Sequence, residues 1–358
     1  MTFGVIGAGE KRGTFELTNE FEFMRGDFVR MMHDTSLAER EILSSNGITQ
    51  GSLTYEFNKT IASLDCSSPT SSTVTFSTGE TKTYDLVIAA DGQGSRTRRL
   101  AFGEDADAAS FKSLNVHGAY YNIPRLPTED SLARMYFPSR NRIVMTRTGN
   151  LPVTQVYFFL FKDAQRAAKM RLVHRKPLAD QKAAWTDVYQ DAGWDTPRFL
   201  EGMKDVTDFY ATEIAQIKMP EGKITNNRVV LLGDAGYCPS PMTGMGTTLS
   251  LVGMYVLAGE LASHANDVDA ALAAYQETMK EPIEEGQKLS GLADALTMFP
   301  ASEWGAWAAN TIIWTLSSFK VDKMLGWLAG WLPEGKEEEW ELPEYPALNV
   351  KAPEAGLR

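Results

Sequence analysis

The chain has 358 residues, 43% of them hydrophobic, and a formal net charge of −11 at pH 7. This length and composition are typical of a globular protein whose two closely joined domains bury a sizeable core. The acidic balance argues against nucleic acids and anionic membranes as partners. The residues after Met1 lack the basic segment and long apolar run of a secretory signal, so we expect a cytoplasmic protein. The two cysteines, Cys66 and Cys238, are too few and too far apart in sequence to indicate a disulfide framework or a metal site.

The chain begins with a glycine-bearing segment, FGVIGAGE, at residues 3–10. In a dinucleotide-binding βαβ unit, a third glycine and an apolar helix follow such a segment. Here Arg12 stands at the position of the third glycine, and residues 11–22 are polar and partly alternating. The sequence therefore does not predict a complete dinucleotide-binding unit at its start. A helix is predicted to begin near Arg25, and residues 48–76 are predicted to form short alternating strands.

A strand that ends in Asp-Gly is predicted within residues 84–99, YDLVIAADGQGSRTRR. Residues 86–90 are apolar, as in a buried strand, and Asp91 and Gly92 end it. Ser95 then predicts the N-cap of a helix that carries Arg96 and two further arginines. Guanidinium groups suit phosphate recognition, although short charge runs also form solvated faces.

Residues 112–162 alternate between aromatic and polar side chains, which favours an antiparallel sheet with one face toward a ligand. His117 and Tyr120 lie in this region and are candidates for contact with that ligand. A histidine on a strand is, however, more often packed or on the surface. Helices are predicted over residues 180–193 and 196–205.

A buried strand, a glycine loop and an apolar helix are predicted within residues 228–261. The strand, residues 229–232, ends at Gly233 and Asp234, where open α/β sheets bind ligands. Gly244 and Gly246 let the backbone approach a ligand closely. We predict that Thr247 and its neighbour Thr248 cap the following helix, whose positive end faces the same crevice.

The C-terminal part is predicted to be helical, with a helix over residues 268–280. Residues 304–319 carry no charge but are shorter than the about 20 apolar residues that span a membrane. We expect a packed helix there, or a wall over a ligand pocket, and contact of residues 304–331 with a membrane interface is left open. From residue 333 the prolines and glutamates predict a solvated, flexible tail.

The glycine-loop segment resembles the class A flavoprotein monooxygenases, the family built like para-hydroxybenzoate hydroxylase, and especially its tetracycline-inactivating and secondary-metabolite members. The residues on the family's fixed positions are Gly233, Asp234, Ala235, Pro241, Gly244 and Gly246. The departures from the pattern are Gly236 for alanine, Tyr237 for histidine, Thr248 for asparagine, Ser250 for alanine and Gly253 for aspartate. The segment around Asp91 resembles a second motif of the same family.

The resemblance implies an α/β fold: an incomplete, three-layer FAD-binding domain (1–110 and 205–280) and an antiparallel-sheet substrate domain (111–204). C-terminal helices (281–332) and a flexible acidic tail (333–358) complete it. The family's opening βαβ unit has no counterpart, so the chain resembles the family without roughly its first 80 to 90 residues, the length of a small domain. Either an upstream segment is missing from this sequence, or the protein has lost its dinucleotide half.

The resemblance also implies the roles of individual residues in holding FAD. Asp234 would bind the ribitol or ribose, and the loop from Pro241 to Thr247, with Met245, would lie along the isoalloxazine. Asp91, Gly92 and Arg96 would serve the pyrophosphate and the approach of NAD(P)H. Arg25 would reach the flavin or its ribityl chain.

The activity that the resemblance implies is an NAD(P)H-driven monooxygenation. Reduced FAD would react with O2 to give a C4a-hydroperoxide, which would transfer one oxygen atom to a small organic substrate. The chemistry needs few acids or bases from the protein, and no catalytic base is assigned. Two alternatives remain open: a flavin-free cyclase, isomerase or binding protein derived from this family, and an inactive fragment.

Overall fold

The computed structural model describes residues 25–149, 151–161, 163–289 and 340–348, together with six isolated residues between 302 and 311. The helices are α1 (Arg25–Ser45), α2 (Arg96–Phe102), α3 (Glu104–Ser110), α4 (Ala164–Val173), α5 (Leu178–Tyr189), α6 (Thr196–Asp205), α7 (Asp234–Tyr237), α8 (Gly246–Ser263) and α9 (Val268–Gly286). The strands are β1 (Ile61–Asp65), β2 (Ser72–Phe76), β3 (Thr81–Tyr84), β4 (Val87–Ala89), β5 (Phe111–Pro124), β6 (Arg134–Tyr136), β7 (Arg142–Arg147), β8 (Val153–Phe161), β9 (Tyr210–Ile217), β10 (Thr225–Asn226) and β11 (Val229–Leu231). Within this described part, no helix is both long and apolar enough to cross a membrane.

Two short parallel strands, β4 and β11, bring distant parts of the chain together. Val87 pairs with Val229, and Ala89 pairs with Leu231, so the two strands end at the same edge. All four of these side chains are buried, as their apolar and β-branched composition predicts. The antiparallel strand β10 flanks β11 on the other side.

A five-stranded sheet with the order β6-β7-β8-β5-β9 forms the second layer of the fold, and all its pairs are antiparallel. One face packs against α4, α5 and α6 around an aromatic core that includes Phe158, Trp185 and Tyr189. The rings of Phe158 and Tyr189 stack at 4.1 Å. The antiparallel sheet and the two helices predicted to follow it are present. The fifth strand of the sheet, β9, lies within residues 205–280, which we predicted to belong to the FAD-binding domain.

The other face of this sheet, the open face, is arranged in rows of paired residues. Every second residue along a strand points to the same side, so each row continues across the strands. In order along the strands, the rows are Phe161, Val116 and Ile214; Ile143, Phe159, Gly118 and Thr212; Met145, Tyr157, Tyr120 and Tyr210; and Arg147, Gln155 and Asn122.

A small antiparallel sheet of β1, β2 and β3 packs through Val74 and its neighbours beside the parallel strands. Residues 48–60, which we predicted to contribute strands, contain none, and the first strand of this sheet begins at Ile61. Strand composition alone does not supply a pairing partner, which explains the wrong prediction. The predicted opening segment, residues 3–10, lies outside the described residues.

The long helices α8 and α9 pack against each other and against the parallel strands. Residues 340–348 lie on these helices, and the ring of Tyr345 is buried there. Its hydroxyl donates a hydrogen bond to Glu260 at 2.7 Å. This part of the predicted flexible tail is therefore packed, because an aromatic anchor offsets its polar composition. Most of residues 281–332, predicted to be helical, lies outside the described residues, although Trp304 and Trp307 are exposed.

Candidate functional site

Two glycine turns lie side by side where the parallel strands end. Gly92 has φ of 80° and Gly233 has φ of 60°, conformations that side chains with a Cβ rarely adopt. A Cβ on Gly233 would also lie 2.7 Å from Ser250 Oγ on α8. Glycine at 233 is thus required both by its backbone and by the close approach of α8. The pairing of β4 with β11 brings the two motifs predicted from the sequence into one crevice.

Asp234 and the N-terminus of α8 face each other across this crevice. A Cβ on Gly246, the first residue of α8, would lie 3.9 Å from Asp234 Oδ1. The backbone hydrogen bonds of the helix begin with Leu249 N, which donates to Met245 O, so the amides of the first turn point into the crevice. The half-buried carboxylate of Asp234 can accept hydrogen bonds from hydroxyl groups. The amides at the positive end of α8 can donate hydrogen bonds to an electron-rich ring.

The predicted helix caps differ in the structure. The N-cap of α8 is Met245, with no hydrogen bond from a capping side chain, and Thr247 and Thr248 lie inside the first turn. Threonine is a good N-cap, but here Gly244 has φ of 70° and ends a short 3-10 turn, so the helix begins earlier than the threonines. The first-turn amides consequently lack a side-chain cap, which leaves them suited to a ligand.

The loop that connects the turn at Gly233 to α8 is held in a strained conformation. Ser240 is buried and has φ of 82°, and its Oγ accepts a hydrogen bond from Met242 N at 3.2 Å. Such strain persists only where the surroundings fix it, and it concentrates at functional sites. Met242 packs against the apolar end of the open face, near Ile143 and Phe161. The glycine loop and the open face therefore form adjoining walls.

Asp91 is engaged within its own turn. Its carboxylate accepts hydrogen bonds from Ser95 Oγ at 2.5 Å and from Thr97 N and Oγ1 at 3.0 Å each. Burial alone would raise the pKa of Asp91, but these hydrogen bonds outweigh it and lower the pKa. Ser95 caps α2, as the sequence predicts. The carboxylate of Asp91 thus fixes the shape of the turn.

Of the three arginines after this turn, the structure singles out Arg98. Arg98 is buried, and it donates to Ala235 O at 2.7 Å, to Gln93 O at 3.0 Å and to Asp107 at 2.7 Å. Arg96, our predicted phosphate ligand, is exposed at the start of α2. The sequence spacing did not distinguish the two, because the start of the helix decides which arginine faces inward.

The two substrate candidates lie on opposite faces of the five-stranded sheet. His117 is fully buried beneath α4, with its ring 5.2 Å from that of His174. Burial lowers its pKa, opposed by Glu213. Tyr120 lies on the open face, where it makes edge-to-face contacts with Tyr157 at 5.6 Å and Phe159 at 5.7 Å. Residues three apart on a strand point to opposite sides, so His117 and Tyr120 cannot line one pocket.

Comparison with known proteins agrees with this geometry. The family model described as "FAD binding domain" matches residues 39–285. The FAD-dependent monooxygenase asL6 of Sarocladium schorii is 34% identical over 95% of this chain and 78% of its own length. Monooxygenase CTB7 of Cercospora beticola is 30% identical over 93% of this chain and 76% of its own length. The chain belongs to the class A FAD-dependent monooxygenases.

A solved structure supports the fold of this monooxygenase. The tetracycline destructase Tet(51) superposes with a TM-score of 0.60 at 28% identity, over 80% of this chain and 69% of that one. The resemblance drawn from the two glycine motifs, the α/β fold of the para-hydroxybenzoate hydroxylase type and the classification as an FAD-dependent oxidoreductase are all confirmed. The roles of individual residues remain predictions.

The residues of the crevice fit an FAD cofactor. No side chain lies within 4 Å of a Cβ placed on Gly92 or Gly244, so both glycines border open space. Asp234 and the first-turn amides of α8 supply the acceptor and donors described above. Ala235 is fully buried, and its carbonyl is bound by Arg98, so it supports the turn from behind. Arg25 begins α1, and its side chain lies outside the described residues.

Several residues that hold the monooxygenase site were not predicted. Gln216 Nε2 donates to Pro239 O at 3.0 Å and to Gln287 O at 2.8 Å, and Gln287 Nε2 donates to Ile217 O at 2.7 Å. This buried amide pair ties the glycine loop to β9 and to the end of α9. Burial raises the pKa of Cys238 to about 12, so its thiol is protonated at neutral pH and packs as a small apolar group. The amide pair has no sequence signature, because its partners lie about 70 residues apart.

Proposed function

We propose that this monooxygenase uses FAD, reduced by NAD(P)H, to insert one oxygen atom from O2 into an organic substrate of secondary-metabolite type. The proposal divides the chain as the sequence suggested, with FAD held by residues 1–110 and 205–280 and substrate by residues 111–204. β9, Tyr210–Ile217, would then be shared, because it pairs with β5 of the substrate sheet. The similarity to Tet(51), a tetracycline destructase, supports an organic substrate of this type.

The observation that carries the proposal is the contact between the glycine loop and the open face. Met242 of the loop packs against the apolar row that contains Phe161 and Ile214. A ligand lying on that face would therefore reach the crevice in which Asp234 and the N-terminus of α8 meet. Binding pockets for organic molecules typically have mostly apolar walls and a few polar groups.

The residues that would hold FAD are Gly233, Asp234 and the loop from Pro241 to Thr247, with the turn at Asp91 and Gly92 beside them. The carboxylate of Asp234 would accept hydrogen bonds from cofactor hydroxyl groups, and the amides at Gly246 and Thr247 would donate toward the ring. Arg96, exposed at the rim, would meet the phosphates or NAD(P)H. FAD, when bound, supplies the activation of O2 and the transfer of one oxygen atom.

The chain's own contribution is to place the substrate and to exclude water. The open face offers half-buried aromatic rings at Tyr120, Tyr157 and Phe159. Excluding water protects a reactive oxygen species from side reactions and strengthens nearby electrostatic interactions. Gly118 shapes this wall, because a Cβ there would lie 2.6 Å from Tyr120 Oη. The glycine lets the tyrosine ring lie back along the strand.

The test supplies the purified chain with FAD, NADH or NADPH, and a planar aromatic substrate under isotopically heavy dioxygen. We expect a product that has gained one heavy oxygen atom, seen by mass spectrometry, and stoichiometric oxidation of the nicotinamide. Product that carries oxygen from water, or turnover without FAD, would contradict the proposal and favour the flavin-free alternative. The variant Tyr120→Ala is expected to oxidise nicotinamide with less product formed, whereas Tyr84→Ala, remote from the face, is the matched control.

A further inference from the structure

The strand β9 serves both parts of the proposed site. Its even-numbered side chains, such as that of Thr212, lie on the open face, and the backbone atoms of the odd-numbered residues are used on the other edge of the strand. Glu213 O accepts a hydrogen bond from Gln93 Nε2 at 3.0 Å, and Ile217 N donates to Cys238 O at 3.0 Å. One strand therefore lines the substrate wall with one set of residues and binds the two glycine turns with the other.

Gln93 attaches the turn at Gly92 to this strand. It directly follows Gly92, and its backbone carbonyl accepts a hydrogen bond from Arg98 at 3.0 Å. Its main chain thus stays bound within its own turn while its side-chain amide reaches β9. Its Oε1 also accepts a hydrogen bond from Cys238 Sγ at 4.0 Å. Gln93 accordingly contacts both β9 and the start of the glycine loop.

A second glutamine, Gln216, attaches the glycine loop to the same strand. Its Nε2 donates to Pro239 O at 3.0 Å and to Gln287 O at 2.8 Å. Both glutamines are buried, and Gln287 Nε2 completes the link by donating to Ile217 O at 2.7 Å. Pro239 directly precedes the strained Ser240. A buried carbonyl that loses its donor costs free energy, so these bonds resist a displacement of the loop.

The distance between the two attachments is set by strand geometry. Gln93 binds at Glu213, and the glycine loop binds at Ile217, four residues further along β9. At about 3.3 Å per residue, the two attachments lie about 13 Å apart, in the same direction as the strands of the open face. A shift of either turn along β9 would therefore change its position relative to the rows of that face.

We propose that Gln93 and Gln216, the latter together with Gln287, are positioning residues of the flavin site. Through β9 they set the position of the flavin ring relative to a substrate on the open face. This inference rests on the proposed function, because it takes the two glycine turns as the FAD site. It adds a physical link between the two halves of the chain: without either amide, the glycine loop leaves β9 locally while the sheet stays folded.

Cys238 reports directly on the opening of the glycine loop. Its thiol is buried, and burial raises its pKa to about 12, so fast reaction with iodoacetamide requires that the loop leave β9. The chain has two cysteines, and Cys66→Ser in every sample leaves Cys238 as the reporter. The rate of alkylation is measured by mass spectrometry on the full chain, with and without FAD and over a range of urea concentrations.

The variants are Gln93→Met and Gln216→Met, which nearly keep the size of the side chain and remove its hydrogen bonds. Gln190→Met, at the exposed end of α5, is the matched control for the substitution itself. Val156→Ala is the control for general destabilisation, because Val156 is fully buried in the core beneath the helices that cover the other face of the sheet.

Cys238 is expected to react roughly tenfold faster in Gln216→Met, which leaves two buried carbonyls without their donor. In Gln93→Met, which loses one half-buried bond to β9, the rate should rise roughly threefold. The added rate should depend only weakly on urea, because a local opening exposes little surface. Gln190→Met and Val156→Ala should react at the wild-type rate in the absence of urea.

The same samples are titrated with FAD. FAD at ten times its dissociation constant should slow the alkylation of the wild-type chain roughly tenfold, because it binds the closed loop. The visible absorption band of the bound flavin should shift in Gln93→Met and Gln216→Met and stay at the wild-type position in both controls. A residue that only added stability would leave this band in place.

Equal alkylation rates in the two glutamine variants and Gln190→Met would overturn the proposal. So would an acceleration shared by Val156→Ala, or a flavin band that shifts in neither glutamine variant. If Gln216→Met does not fold, as judged by circular dichroism, Gln93→Met decides, because its side chain is half-buried. Faster alkylation in the variants without any effect of FAD contradicts the proposed FAD site, whereas protection by FAD with equal rates contradicts only the positioning role.

Discussion

Arg98 Nη1 donates a hydrogen bond of 2.7 Å to the carbonyl oxygen of Ala235, and this contact joins the two turns that end β4 and β11. The same guanidinium bonds Gln93 O in the first turn and Asp107 in α3. The two turns belong to segments 137 residues apart in sequence, and Arg98 links them in addition to the pairing of β4 with β11. Arg98 therefore holds together the crevice in which FAD is proposed to lie.

Replacing Arg98 by alanine should destabilise the fold. The change leaves Asp107 and the Ala235 carbonyl without their buried donor, and breaking a buried ion pair costs about 3 kcal/mol or more. The free energy of unfolding from urea titration measures this. Arg99→Ala, on the exposed side of the same helix, should change it by less than about 0.5 kcal/mol. Equal losses in the two variants would show that Arg98 is not a structural link.

Two departures from the family pattern explain each other. Tyr237 stands where the family has histidine, and its hydroxyl lies 2.0 Å from the place a Cβ on Gly253 would occupy. Gly253 stands where the family has aspartate, whose side chain this space could not hold. The hydroxyl of Tyr237 bonds that of Tyr275 at 2.9 Å, and Tyr275 donates to Leu231 O. The larger residue at 237 therefore depends on the glycine at 253.

Gly253→Ala should accordingly lower the free energy of unfolding by about 1–3 kcal/mol, the usual cost of overpacking a core. In a Tyr237→Phe background the cost should be smaller, because the hydroxyl is gone and the nearest ring carbon is 3.1 Å away. A double-mutant cycle by urea titration measures this coupling. Met254→Ala, an exposed neighbour on α8, is the control. Additive effects of Gly253→Ala and Tyr237→Phe would show that the two positions are independent.

Acid should destabilise the protein through the buried histidine pair. Burial lowers the pKa of His174 to about 4, from 6.5, and His117 contributes in the same direction. Between about pH 6.5 and 4 the unfolded chain takes up a proton that the folded chain does not, so the free energy of unfolding decreases as the pH is lowered. One proton gives a slope of at most about 1.4 kcal/mol per pH unit.

The measurement is the free energy of unfolding against pH for wild type and His174→Gln. The variant should lose part of the slope between pH 6.5 and 4 and should keep the wild-type slope below that window. An unchanged slope in His174→Gln would mean that His174 is protonated in the folded state.

The parallel strands and the Ser95 cap are predictable from the sequence, because their signals are local. Apolar runs that end in Asp-Gly or Gly-Asp indicate buried strands with ligand-facing ends, and a serine before a helix is a common cap. The order of glycines from Gly233 to Gly246 similarly identifies the loop. Each of these features depends on neighbouring residues, which the sequence displays directly.

The features that sequence analysis missed depend on tertiary contacts. Arg98 rather than Arg96 faces inward, because the position of α2 relative to α3 decides which side is buried. His117 faces α4 rather than the open face, because the packing of α4 on β5 decides which side of the strand is covered. Tyr345 packs against α8 although its surroundings are polar in composition. No short-range pattern records these choices.

The central claim is that FAD lies in the crevice formed by Asp234 and the N-terminus of α8. Titration of FAD into the chain, followed by flavin fluorescence, tests it most directly with Asp234→Asn beside Asp85→Asn, an exposed control near β4. The account predicts that Asp234→Asn weakens FAD binding roughly tenfold or more, through loss of a charge-assisted hydrogen bond, and that Asp85→Asn leaves it unchanged. Equal FAD affinity in Asp234→Asn and wild type would contradict it.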